Sequence, residues 1–122
     1  MSKPHQRKRC PPEAIEVAWK LLRNLYHNAD GAIRALRRAR RSLTADQARV
    51  AIAVAQRVLE EAIRIVEPKD RATLEAYRSR VPNGPSAQDR DRYERTLRSK
   101  FPECTVAGLR FALQIAVIYH IL

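Results

Sequence analysis

Four arginines, Arg34, Arg37, Arg38 and Arg41, are spaced i, i+3, i+4 and i+7 within a run of five arginines in eight residues. On a helix that spacing lines the side chains along one face. Ala32, Ala35, Leu36, Ala39 and Leu43 fall on the opposite face. Such a helix buries one side and presents a row of guanidinium forks on the other. Guanidinium matches phosphate in both charge and donor geometry, so the row points to a polyanionic partner. Lys3, Arg7, Lys8 and Arg9 lie in a basic arm over 1–10 that has no apolar anchors, and they extend the candidate nucleic-acid-binding set. Arginines alone suit phosphates better than base edges, so the expected chemistry is a backbone grip.

A charge run on a helix is more often a solvated face than a site. The segment 86–100 fits that plainer reading, because Asp89, Asp91 and Glu94 interleave with Arg90, Arg92 and Arg95. The run from Arg34 to Arg41 contains no acid at all. That difference favours a functional role for it.

Catalytic patterns are absent from the sequence. There is no Gly-rich phosphate loop, nucleophile elbow, H-E-x-x-H or paired-Cys zinc pattern, so no enzyme and no cofactor are expected. His5, Cys10, Cys104 and His120 are the one conceivable four-ligand set, but their spacing matches no established metal site. Two cysteines are too few for a disulfide framework and imply a reducing compartment. No apolar signal segment follows the basic start, and a cytoplasmic location is the expectation. The aromatic residues Trp19, Tyr26, Tyr77, Tyr93, Phe101 and Tyr119 sit on apolar stripes and read as core.

The bulk properties agree with a polyanion partner. The 122 residues carry a formal net charge of +11, enough chain for one domain with a modest core. The excess is uneven: residues 1–41 hold 11 basic against 3 acidic side chains, whereas 42–67 hold 3 against 4. Strong basicity is the usual mark of a nucleic-acid or anionic-surface binder.

The elements that must carry these residues are all helical in pattern. Pro11 and Pro12 open a first helix with Ile15, Ala18, Trp19, Leu22, Leu25 and Tyr26 inward. Asn28, Asp30 and Gly31 punctuate before the Arg-striped helix, which is expected to run to about Arg41. Thr44 with Gln47 forms a capping box ahead of the longest helix, 45–66. Ala48, Ile52, Ala55, Leu59, Ala62 and Val66 make a packing seam along it, half alanine. A short helix follows Pro68, the stretch 81–85 is a loop, and Ser86 caps the next helix. Thr105 caps a last helix to Leu122 that is apolar nearly all round, with Arg110 and Gln114 as its buried polar exceptions. It is too short, and too interrupted by polar residues, for a membrane span.

The expected fold is therefore an all-α, single-domain bundle of five or six helices over 11–122, with 45–66 and 105–122 at its centre. The leading expectation is a non-catalytic nucleic-acid-binding protein, DNA or RNA, acting alone, as a homo-oligomer or within a larger nucleoprotein complex. In size and composition the chain resembles the small, basic, all-helical subunits of ribonucleoprotein assemblies, such as those of CRISPR effector complexes. That resemblance is of class and not of motif. A second expectation is a protein-interaction or oligomerisation subunit using the Ala-rich seam and Leu109, Leu113, Ala116 and Val117 of the last helix. A third is a peripheral membrane protein with basic residues on anionic lipid.

Overall fold

The computed structural model describes residues 10–23, 28–79 and 85–122. These form six α-helices: α1 (Pro12–Arg23), α2 (Ala29–Ala39), α3 (Ala45–Ile65), α4 (Arg71–Ser79), α5 (Ala87–Lys100) and α6 (Val106–Ile121). No strand occurs among the described residues. The architecture is an all-α helical bundle. The arm residues Lys3, Arg7, Lys8 and Arg9, together with His5, Leu25, Tyr26 and most of the 81–85 loop, lie outside the described residues.

The helix starts follow capping chemistry. The Thr44 hydroxyl accepts from Gln47 N while the Gln47 side chain accepts from Thr44 N, which satisfies two otherwise orphaned donors at the head of α3. Asn28, Ser86 and Thr105 cap α2, α5 and α6 in the same way through their side-chain oxygens. Pro12 occupies the first position of α1, where its missing N–H costs nothing, and the Pro11 carbonyl accepts from Ala14 at 3.0 Å. Asp70 does the same work for α4, accepting from Thr73 N and Oγ1, each at 2.8 Å.

The core forms around α3. All six residues of its seam, Ala48, Ile52, Ala55, Leu59, Ala62 and Val66, are buried. Ala51, Val54 and Val58 add a second buried line, so α3 is covered on two sides. It packs on α1, α2, α5 and α6, and its alanines allow the neighbouring backbones to come close. The other hub is α6, which meets α1, α3, α4 and α5. Leu109, Leu113, Ala116 and Val117 are buried inside this one chain, as are Ile15 of α1, Leu36 of α2 and Leu97 of α5. Removing such a Leu or Ile side chain from water contributes roughly 1.5–3 kcal/mol each.

Three expectations are corrected. First, α2 ends at Ala39, so Arg41 lies in the following turn and not on the helix. Arg40 has left helical geometry at φ −133° and ψ 87°. Second, Arg110 and Gln114 are exposed, not buried. They fall on one line with Ala107 and Ile118, the narrow stripe of α6 that its neighbours leave open. Third, Tyr119 is half exposed and Leu22 also reaches the surface, although both fit an apolar stripe.

Two carboxylates tie α5 to its neighbours. Glu94 of α5 accepts from Arg98 of its own helix and from Arg110 of α6. Glu61 of α3 accepts from Arg64 and from Lys100 at the end of α5. These cations hold the Glu61 carboxyl below the usual carboxylate range, chiefly through the Arg64 hydrogen bond. A third polar tie is buried: Tyr77 Oη of α4 donates to the Val66 carbonyl at 2.9 Å and lies 3.2 Å from Tyr93 Oη of α5.

Candidate nucleic-acid interface

The Arg-bearing helix is held from beneath. Ala32, Ile33 and Leu36 of α2 are buried against α1 and α3, the only helices it touches among the described residues. With that side fixed, Arg34, Arg37 and Arg38 are exposed, and so are Arg40 and Arg41 in the turn beyond. Three of the four expected residues thus share the outer face of α2. Arg41 is exposed in the turn beyond α2 and not on that face.

The guanidinium groups are engaged to different degrees. Arg40 Nη1 lies 3.6 Å from Glu13 Oε2 of α1, an ion pair that fastens the end of α2 to the start of α1. Arg37 Nε donates to the Leu43 carbonyl at 3.2 Å and holds the turn that leads into α3. Among the described residues no carboxylate pairs with Arg34, Arg37, Arg38 or Arg41, although Asp30 lies one turn before Arg34. Elsewhere several cations are matched, Arg49 with Asp46, Arg78 with Glu75, Arg92 with Asp89 and Arg98 with Glu94, whereas Arg57, Arg71, Arg90 and Arg95 are exposed without a carboxylate partner among the described residues. Between 34–41 and 86–100 the contrast in ion pairing is one of degree: Arg40 alone is paired in the first, and Arg92, Arg98 and Lys100 in the second.

An aromatic contact joins α1 to α6 at the surface. Trp19 of α1 meets Tyr119 of α6 edge to face, with ring centroids 6.1 Å apart and an interplanar angle of 76°. The Arg23 guanidinium sits 5.4 Å from the Trp19 ring centroid, a cation–π contact. The i, i+4 spacing of Trp19 and Arg23 was a readable signal for that contact. The edge contact with Tyr119 joins residues 100 positions apart and had none.

Of the four conceivable but unexpected metal ligands, His5 lies outside the described residues and the other three are brought together only in part. Cys10 and Cys104 are neighbours, each buried. His120 stands at the other end of α6, roughly 24 Å along the axis from Cys104 by helical rise. There its Nε2 donates to the Ile63 carbonyl at 2.7 Å and anchors α6 to α3. Among the described residues no group of three or more His, Cys, Asp or Glu side chains could hold a metal ion.

A groove of about 380 Å³ opens between α5 and α6, lined by Tyr93, Leu113 and Val117 with Arg90, Glu94 and Arg110 at its polar rim. It includes no residue of α2. Its charges are of both signs, unlike the Arg cluster. No described helix is long and apolar enough to cross a membrane. No protein-family description, curated protein or solved structure matches the chain.

Proposed function

We propose that the protein binds nucleic acid without catalysis, gripping the phosphate backbone through the exposed face of α2 and the turn that follows it. The observation that carries this reading is that Arg34, Arg37 and Arg38 on α2 and Arg41 in the turn beyond it are exposed and have no carboxylate partner among the described residues. An anionic backbone would supply the counter-charges that the fold itself does not. Lys3, Arg7, Lys8 and Arg9 precede α1 in the chain and add to the basic total. Backbone recognition of this kind releases counterions, so affinity falls steeply with salt. It positions a protein on nucleic acid without reading sequence.

The reading is tested by purifying the protein at low ionic strength and measuring its 260/280 nm absorbance ratio. Co-purified nucleic acid that washes away at about 1 M salt is expected. A protein free of nucleic acid at low salt, which also fails to shift labelled duplex DNA and single-stranded RNA, would remove the reading.

A second reading, a protein-interaction subunit, draws on a different observation. Leu109, Leu113, Ala116 and Val117 are spent in the chain's own core, but Leu22, Ile118 and Tyr119 are exposed near the C-terminal ends of α1 and α6. An apolar group at the surface is a common basis for association. Light scattering of the wild type and of Ile118→Asp tests it: an oligomer that the variant dissociates supports it, and a monomer at high concentration removes self-association.

A further inference from the structure

Cys10 and Cys104 are the chain's only cysteines, and the fold makes them neighbours across 94 positions of sequence. Their side chains are within hydrogen-bonding reach of each other. Cys10 is completely buried, whereas Cys104 keeps an exposed edge at 8% of its surface. They are not joined in a disulfide. The backbones around them are closely fixed. The Cys10 carbonyl lies against the first turn of α6, with the Thr105 hydroxyl 3.5 Å away. It also fills the space where a side chain on residue 108 would begin. On the other side Cys104 N donates to the Phe101 carbonyl at 3.1 Å, which sets the α5–α6 turn.

We propose that Cys10 and Cys104 are a modification site, a thiol pair that closes into an internal disulfide when a low-molecular-weight disulfide such as oxidised glutathione is present. The bond would staple the entry to α1 onto the α5–α6 turn. Two buried cysteines used only as small apolar side chains need not meet. Here the only two in the chain do. Both sit on short segments at helix boundaries, just before α1 and just before α6.

The chemistry is asymmetric in a way that suits a stepwise exchange. The hydrogen bond from Cys10 favours the thiolate of Cys104, while the same bond and burial keep Cys10 protonated. The Cys104 thiolate attacks one sulfur of oxidised glutathione, breaks its S–S bond and releases one glutathione thiolate, which takes up a proton. The Cys10 thiol then loses its proton and attacks the Cys104 sulfur of the mixed disulfide, releasing the second glutathione. Two protein thiols have been oxidised to one disulfide and one glutathione disulfide has been reduced to two thiols.

The test incubates the full chain with oxidised glutathione, quenches with iodoacetamide and measures the intact mass. The expected product is lighter than the reduced protein by about two mass units, carries no alkyl group and regains both thiols with dithiothreitol. A non-reducing peptide map should join the Cys10 and Cys104 peptides. Closing a loop of this length should raise the thermal midpoint by on the order of 10 °C. Cys10→Ser, checked for native helicity by circular dichroism, should stop at a stable glutathione adduct on Cys104. Two alkylatable thiols after the incubation, disulfide-linked dimers in place of the internal bond, or an oxidised form with a lower thermal midpoint would each overturn the proposal.

Discussion

The carbonyl oxygen of Cys10 lies 2.1 Å from where a Cβ on Gly108 would be, so these two residues can approach only because position 108 has no side chain. The contact brings the entry of α1 onto the first turn of α6. A Gly within a helix normally costs about 1 kcal/mol relative to Ala, so Gly108→Ala would stabilise an isolated helix. In this fold the added methyl meets backbone, which cannot rotate away. The variant should lose roughly 1–3 kcal/mol net, read as a lower midpoint in urea unfolding. A stabilised Gly108→Ala protein would mean that the Cys10 segment does not sit there.

Tyr77→Phe removes a buried hydroxyl and leaves the Val66 carbonyl without that donor. The expected cost is about 1–2 kcal/mol. Tyr93→Phe should cost less, because Tyr93 is only half-buried and Tyr77 retains its bond to Val66. Chemical denaturation of the two single variants and the double variant checks the order, and equal losses would contradict it.

Acid should weaken the bundle through two identifiable carboxylates. Glu61 is held below its ordinary value chiefly by the hydrogen bond from Arg64, and Asp70 chiefly by the backbone N–H of Thr73. A depressed folded-state value means that their stabilisation is full above the unfolded-state carboxylate value, about pH 4, and lost as pH falls through the folded one. Thermal midpoints of the wild type should therefore drop below about pH 4.5. Glu61→Gln combined with Asp70→Asn should lower the midpoint at pH 7 and flatten its further fall in acid. An unaltered acid slope in the double variant would exclude these two groups as its source.

Leu109→Ala and Val117→Asp distinguish a core helix from an interface helix. Leu109 is fully buried within the chain, and its truncation should cost about 2–5 kcal/mol. Val117→Asp places an unpaired carboxylate among apolar neighbours and should unfold the protein, seen as lost helical dichroism at any concentration. Gln114→Ala, on the exposed stripe of the same helix, should leave stability within about 0.5 kcal/mol. A folded, dissociated Val117→Asp monomer would restore the interface role for this face.

The legible parts of the fold were those written in local chemistry. The caps at Thr44, Ser86 and Thr105 and the Ala48–Val66 seam could be read because side-chain donors, acceptors and helical spacing act over a few residues. Where α2 stops was not legible, since Arg37 and the Leu43 carbonyl fix the turn from outside the helical pattern. The exposure of Arg110 and Gln114 was hidden because α6 is apolar on all but one narrow line, and only the packing of four other helices decides which line faces water. For the candidate interface, residue identities came from spacing, but the absence of carboxylate partners around Arg34 and Arg38 depends on tertiary contacts. The meeting of Cys10 with Cys104 depends on them entirely.

The most direct test of the phosphate-grip account is the salt dependence of nucleic-acid affinity. Fluorescence anisotropy with a labelled duplex, titrated across ionic strength, should give a steep linear fall of log K with log salt concentration. Replacing Arg34, Arg37, Arg38 and Arg41 with Gln, singly and then together, should reduce that slope by about 1 for each arginine that contacts a phosphate. Affinity should weaken alike for unrelated sequences, and thermal midpoints should hold for Arg34→Gln and Arg38→Gln, whose side chains have no hydrogen-bond or ion-pair partner among the described residues. Binding and slope unchanged in the quadruple variant would contradict the claim that this surface holds the nucleic acid.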